Sequence, residues 1–208
     1  MLASPIPSVL ALSGGVIVTI ICAGIILLLI LWVIVMYNKL VRLRQSCKES
    51  WSDIDTELQR RHDLIPNLIQ TVKGYAEHEK STLEEVTRLR NEAVADKSKS
   101  PAERAKVEDA LGKASTNLIA KMEAYPDLKA NQNFLQLQGE LSETETRIAR
   151  SRRFYNANTR DFQNGVQMFP SSIIASMGSF KGNEFEFFKA EEGASEPVHV
   201  DFGASGGS

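Results

Sequence analysis

VIVTIICAGIILLLILWVIVMY, residues 16–37, is a run of twenty-two residues without a charged side chain, and Lys39, Arg42, Arg44 and Lys48 follow at once. As a helix rising about 1.5 Å per residue it reaches about 33 Å, enough to cross a hydrocarbon core of about 30 Å with modest tilt. No later stretch of the chain does the same. Trp32 and Tyr37 lie toward the charged end, where amphipathic rings favour the headgroup level. The run reads as a transmembrane anchor. Residues 1–15 carry no Lys or Arg, so the bias of basic residues toward the inner side puts the N-terminus outside and the large C-terminal part in the cytoplasm.

Other readings of the run fit less well. A cleaved signal peptide has a basic start, a shorter apolar stretch of about 7–15 residues and a small-residue cleavage site. A lipoprotein anchor on Cys22 wants small residues ahead of it, where Ile20 and Ile21 stand. Gly15, Thr19 and Ala23 form a small-residue row at four-residue spacing, a pattern that lets two anchors approach closely but is common by chance.

With 208 residues, the chain beyond the anchor is long enough for one soluble domain with its own core. A net charge of −2 and a pI near 6.0 supply no basic surface for phosphate neutralisation, which argues against a nucleic-acid partner. Cys22 and Cys47 are too far apart along a helix to pair, so no disulfide framework is expected. Both read as small apolar residues, with reversible acylation of Cys47 considered because it lies near the membrane.

Beyond the anchor, Leu40, Leu43, Cys47, Trp51, Ile54, Leu58, Ile65, Leu68, Val72 and Tyr75 recur on three- and four-residue steps, a helical seam with a gap at Arg61 and His62. Nothing between Tyr37 and Leu40 breaks a helix, so the anchor is expected to run straight into this one. Pro66 removes the hydrogen bond to the His62 carbonyl, which predicts a kink, and Gly74 is a further weak point. Ser81 and Glu84 form a capping-box pattern ahead of Leu83, Val86 and Leu89. Ser100, Pro101 and Glu103 read as N-cap, first helical residue and capping partner, starting a seam of Val107, Leu111, Ala114, Leu118 and Met122 that ends at Tyr125 and Pro126.

From Asn131, a cap candidate, a fourth seam follows through Phe134, Leu137, Leu141, Ile148, Tyr155, Phe162, Val166 and Phe169 to Pro170. Ser171 to Met177 suits one more short helix, and Phe185, Phe187 and Phe188 are candidates to dock back on the helices. No period-two alternation calls for a strand. The expected fold is all-α: a single N-terminal transmembrane helix continuing into an elongated antiparallel bundle of about four helices. The expected boundaries are a short segment 1–15, the anchor 16–37, the bundle domain 38–180, and an aromatic segment with a disordered tail over 181–208.

Several blocks carry a family likeness. Trp51-Ser52-Asp53-Ile54-Asp55, Arg60-Arg61-His62-Asp63-Leu64-Ile65-Pro66-Asn67-Leu68 and Val72-Lys73-Gly74-Tyr75-Ala76 resemble the LemA family. Glu123-Ala124-Tyr125-Pro126-Asp127-Leu128-Lys129-Ala130-Asn131, Arg153-Phe154-Tyr155-Asn156 and Phe169-Pro170 match its later motifs in the same order, over about 37–180 and excluding the tail after Ala190. The resemblance implies a bacterial single-pass membrane protein with a helical-bundle domain, located in the inner membrane, and no settled reaction.

Candidate chemistry is sparse. His62 and Asp63, preceded by Arg60 and Arg61, suggest an acid-base pair in a cleft at Pro66, but charges at a kink more often receive freed carbonyls or pair across helices. Asp53, Asp55 and Glu57 scatter around a helix, and His78 has no partner at metal-ligand spacing. No catalytic, cofactor-binding or metal-binding residue is predicted, and no small-molecule substrate or cofactor is inferred. Arg147, Arg150, Arg152 and Arg153 make a basic patch balanced by Glu140, Glu143 and Glu145, or one that meets anionic headgroups if it lies near the bilayer. The Tyr125–Leu128 block reads as a helix-helix corner. The expected partners are the lipid bilayer and either further copies of the chain or another membrane or cytoplasmic protein. The expected function is a non-enzymatic scaffold, with membrane organisation or remodelling by lateral oligomerisation as the alternative.

Overall fold

The computed structural model describes residues 14–75, 79–96 and 99–188. Every regular element among them is a helix: α1 (Gly14–Val72), α2 (Lys80–Ala95), α3 (Pro101–Met122), α4 (Pro126–Lys129), α5 (Gln132–Gln167) and α6 (Ser171–Met177). The fold is all-α, as the periodicity requires. The tail expected beyond Ala190 lies outside the described residues, as do residues 1–13 and His78. The described chain forms two compact bodies. One draws on the chain up to residue 45 and on 161–184, the other on 46–160 and on the chain from residue 185.

The second body is a four-helix bundle. Ser46 pairs with Asn158, Trp51 stacks on Tyr155, and Arg61 meets Glu145, so α5 runs antiparallel to α1. Asp55 meets Arg104 and Arg61 meets Glu108, so α3 runs parallel to α1. Lys121, at the end of α3, reaches Thr82 and Glu79 at the start of α2, which sets those two antiparallel. One apolar cluster joins Ile65, Leu68, Val86, Leu111, Leu118, Phe134 and Leu141. Another joins Ile54, Leu58, Ala105, Ile148, Tyr155 and Phe188.

The helix ends show which local signals hold. At α3 the Glu103 N–H donates to Ser100 Oγ at 3.4 Å and the Ser100 N–H to Glu103 Oε2 at 3.1 Å, the reciprocal capping box. Asn131 Oδ1 accepts from the N–H groups of Asn133 and Phe134 and caps α5. The Ser81–Glu84 box does not form: α2 begins at Lys80, two residues earlier than that box would start it, after Glu79, which makes no side-chain cap bond. Pro66 lies inside α1, which ends at Val72 in a turn through Gly74. Tyr75, read as part of the seam, falls past that end and is exposed.

In the first body the side chains from Gly15 to Val35 are all exposed, and burial starts at Leu40. This is the one described helix apolar and long enough to cross a membrane. In water such a surface has no partner, whereas its helical backbone is already satisfied for lipid. The α5 backbone approaches α1 closely at Gly165, where a Cβ would lie 3.0 and 3.2 Å from Leu43 and Leu40.

α6 closes in a Schellman arrangement. The Phe180 N–H donates to the Ala175 carbonyl at 3.0 Å, and Ser179 takes the left-handed position at φ 57°. Gly178 lies where a Cβ would come within 2.6 Å of the buried Phe180 ring and 3.1 Å of Tyr37. Ser179→Gly is therefore expected to stabilise the protein by about 1 kcal/mol, because glycine adopts the left-handed region without steric cost. Gly178→Ala is expected to destabilise it by about 1–3 kcal/mol through overpacking. Denaturant titration of the detergent-solubilised protein, followed by circular dichroism, reads both changes.

Candidate functional site: a charged layer inside the bundle

The α1 seam reaches Leu58, resumes at Leu64 and Ile65, and places Arg61 and His62 between them. The sequence reads these two as a gap. The structure puts both in the core at 1% exposure, and Arg61 is the largest fully buried side chain. The interval lies between the two apolar clusters, bounded by Leu58, Ala105 and Ile148 on one side and Leu64, Leu111 and Leu141 on the other.

A buried guanidinium costs several kcal/mol unless its charge and its donors are answered. Arg61 Nη2 donates to Glu108 Oε2 at 2.5 Å and to the Glu108 carbonyl oxygen at 3.0 Å, and Nη1 donates to Glu145 Oε1 at 2.8 Å. His62 Nε2 lies 3.1 and 3.2 Å from the two oxygens of the same Glu108 carboxylate. Gly112 leaves the space the guanidinium fills, since a Cβ there would sit 3.0 Å from Arg61 Nη1. α1, α3 and α5 thus meet on one charge.

Burial, the largest influence on Glu108, pushes its carboxyl up. The hydrogen bond from His62 and the charge of Arg61 together outweigh it and hold the carboxyl below its ordinary 4.5. For Arg61, burial pulls down, while Glu145 and Glu108 raise its pKa above the ordinary value. The two charged forms stabilise each other.

Pro66 adds a second link. It has no N–H for the His62 carbonyl, and Arg90 Nε of α2 donates to that carbonyl at 3.2 Å instead. The fourth helix is therefore tied to the same layer.

Two further arginines bridge helices in this body. Arg104 donates to Asp55 Oδ1 at 2.7 Å while its guanidinium lies 5.2 Å from the Trp51 ring centre. Arg152 pairs with Asp109 and lies over Phe188 at 4.3 Å. Phe188, at 1% exposure, is the most deeply buried of the three aromatics expected to dock. The Asn156 side chain clamps it by accepting from its N–H at 2.9 Å and donating to its carbonyl at 3.0 Å. The Tyr155 hydroxyl donates to the Glu186 carbonyl at 2.9 Å, and burial pushes that hydroxyl up to about 12.

The imagined acid-base pair is not assembled. His62 turns into the bundle, whereas Asp63 is exposed and accepts from Gln59 on its own helix. The basic stretch does not act as one patch either: Arg147 pairs with Glu143 and Glu57, Arg152 with Asp109, and Arg153 bonds the Ala149 carbonyl. Glu145, read as balancing those arginines, pairs instead with Arg61 from a partly exposed position. Asp55 and Glu57 pair with different helices, and Asp53 is exposed. Cys47 is fully buried, so its thiol is not presented for acylation. Among the described residues no group of three or more His, Cys, Asp or Glu side chains is placed to hold a metal ion.

Sequence reasoning missed Glu108, Gly112 and Arg90. The inward stripe of α3 is Arg104, Glu108, Leu111, Ser115, Leu118 and Met122, whereas counting apolar residues favoured Val107 and Ala114. Alternating three- and four-residue steps taken backward from Leu118 pass Ser115 and Leu111 and land on Glu108 and Arg104, so the signal was there in the spacing and hidden by the residue types.

These helices and their motifs match a known group. The LemA family model matches residues 50–202. The chain belongs to the LemA family. That match begins later than Tyr37 and continues past Ala190, so the family likeness covers part of the tail that the motif comparison left out. Protein LemA of Metamycoplasma hominis is 29% identical over 141 residues, 66% of this chain and 63% of that one. The alignment thus spans just under two thirds of that relative's length. Magnetosome protein MamQ 2 of Paramagnetospirillum magneticum is 23% identical over 186 residues, and magnetosome protein MamQ of Magnetospirillum gryphiswaldense 22%; each alignment covers 78% of this chain and 68% of the relative. Family motifs now have physical roles: the Arg61-His62 block builds the charged layer, and Tyr155-Asn156 holds Phe188.

Glu108→Gln is expected to cost about 3 kcal/mol at neutral pH, because it removes one counter-charge from a buried arginine that keeps Glu145. In the unaltered protein the Glu108 contribution is present above pH 4.5 and is lost as pH falls below that value through the depressed folded pKa. Urea titrations from pH 7 to pH 3 should show that loss in the natural chain and a flatter profile in Glu108→Gln.

Proposed function

We propose that this LemA-family chain is a non-enzymatic, membrane-anchored helical scaffold whose bundle surface binds another protein or further copies of itself. The observation that supports this reading best is how the interior polar groups are used. Arg61, His62 and Glu108 are spent on one another inside the bundle, leaving the outer surface as the place for recognition. That surface carries large apolar residues on α5, with Leu135 at 50% and Phe154 at 59% exposure. Phe154 sits inside a family motif whose next residue, Tyr155, is fully buried, so the motif has one inward and one outward aromatic. Exposed aromatics of this kind are preferred anchors at protein interfaces.

A photo-crosslinking phenylalanine analogue at position 154, activated in intact membranes, is expected to trap discrete adducts with a partner or with a second copy. Exclusively monomeric, adduct-free protein would reject the reading.

The same proposal places the N-terminus outside and the bundle in the cytoplasm of a bacterial inner membrane, on the strength of Lys39, Arg42, Arg44 and Lys48 just beyond the apolar run. Protease added to intact spheroplasts is expected to leave the bundle whole and to degrade it only after lysis; cleavage before lysis would reverse the orientation.

A further inference from the structure

The segment joining α5 to α6 is oily on its outside. Met168, Phe169, Ile173 and Met177 are 62%, 81%, 51% and 77% exposed, although the seam reading assigned Phe169 to the core. From Phe162 to Phe180 nineteen consecutive residues lack a charged side chain, the longest such run after the anchor in a chain that is 24% charged. α6 is apolar on both sides, with Ile174 and Ala175 buried and Ile173 and Met177 outward. Its polar side chains, Ser171, Ser172 and Ser176, are uncharged, and the hydroxyls of Ser171 and Ser176 donate to the Met168 and Ile173 carbonyls, so the outward apolar side chains stand uncovered.

Its position within the first body names the cover. The segment is bracketed by Gly165, which sits against Leu40 and Leu43, and by Gly178, which sits against Tyr37. Phe180 meets the Tyr37 ring edge-on at 5.5 Å, and Arg44 pairs with Glu184 at 2.6 Å, fixing the return of the chain beside α1. Residues 37 to 43 of α1 rise about 9 Å from the end of the apolar run. The headgroup region adds about 5–7 Å beyond the hydrocarbon on each side of a bilayer. The oily turn is thus held at headgroup depth, beside the exposed Lys39 and Arg42 that favour anionic lipid.

We infer that the α5–α6 turn is a second membrane contact, in which Met168, Phe169, Ile173 and Met177 enter the headgroup–acyl boundary of the leaflet that the anchor leaves. The inference rests on residues 16–37 spanning the bilayer. It makes the attachment two-point, restricting rotation of α1 about its axis because one side of the helix carries the inserted turn.

Spin labels test it on the full chain reconstituted in phosphatidylcholine vesicles containing phosphatidylglycerol. Cys22→Ala removes the exposed thiol and Cys47 is buried, so single cysteines at Ile30, Phe169, Met177 and the exposed Lys80 report in turn. Labels at positions 169 and 177 are expected to show an accessibility ratio of oxygen to a water-soluble nickel complex several-fold above that at position 80. A lipid-like signal at 30 with water-like signals at 169 and 177 overturns the inference and leaves the span intact. Shielding of 169 and 177 from both reagents also overturns it, since protein then covers the turn. A water-like signal at 30 removes the span and the inference with it.

Discussion

A guanidinium in the middle of a helical bundle imposes a condition that no apolar contact imposes. Leucine packs acceptably against many neighbours, so apolar layers tolerate a shift of one helix along another. Arg61 does not, because its charge and its Nη donors are met only when Glu108 and Glu145 stand opposite it together. The layer therefore ties the register of α1, α3 and α5 to a single arrangement, in the way that a buried polar position sets register in a coiled coil.

The surrounding residues make sense as consequences of that condition. Gly112 is small because the guanidinium occupies the volume beside it, and His62 supplies a further donor to a carboxylate that already answers Arg61. Pro66 leaves a carbonyl without its helical donor, and Arg90 brings α2 to it. Arg104 on Trp51 and Arg152 on Phe188 repeat the theme nearer the outside, each pairing a carboxylate while its flat face covers an aromatic ring. Arg61, Arg90, Arg104 and Arg152 thus act as cross-ties between helices. The first body shares this theme, with Arg44 on Glu184 and over Phe180, and adds another device: at Gly165 and Gly178 the absence of a side chain lets α1 come close.

Local signals were legible where the chemistry is local. The Ser100 box and the Asn131 cap form as written because donor and acceptor lie within three residues of each other, with proline pre-setting the first turn at Pro101. The Ser81 box shows the limit of such patterns, for Thr82 and Glu79 are engaged by Lys121 from α3 and the helix starts two residues sooner. Phe169 followed the spacing of a seam that had already ended at Gln167, so periodicity placed inside a residue that the turn places outside.

By itself the sequence determined the helical class, the apolar span, most helix limits and the family, because hydrophobic periodicity, run length and short-range capping are properties of neighbouring residues. Only the tertiary structure decided that Arg61 and His62 are core rather than a gap, that Glu145 answers Arg61, and that His62 and Asp63 part company. The physical reason is that the stability of a buried charge depends on groups brought from other helices: Glu108 stands 47 residues away and Glu145 84. No pattern confined to one helix contains that information.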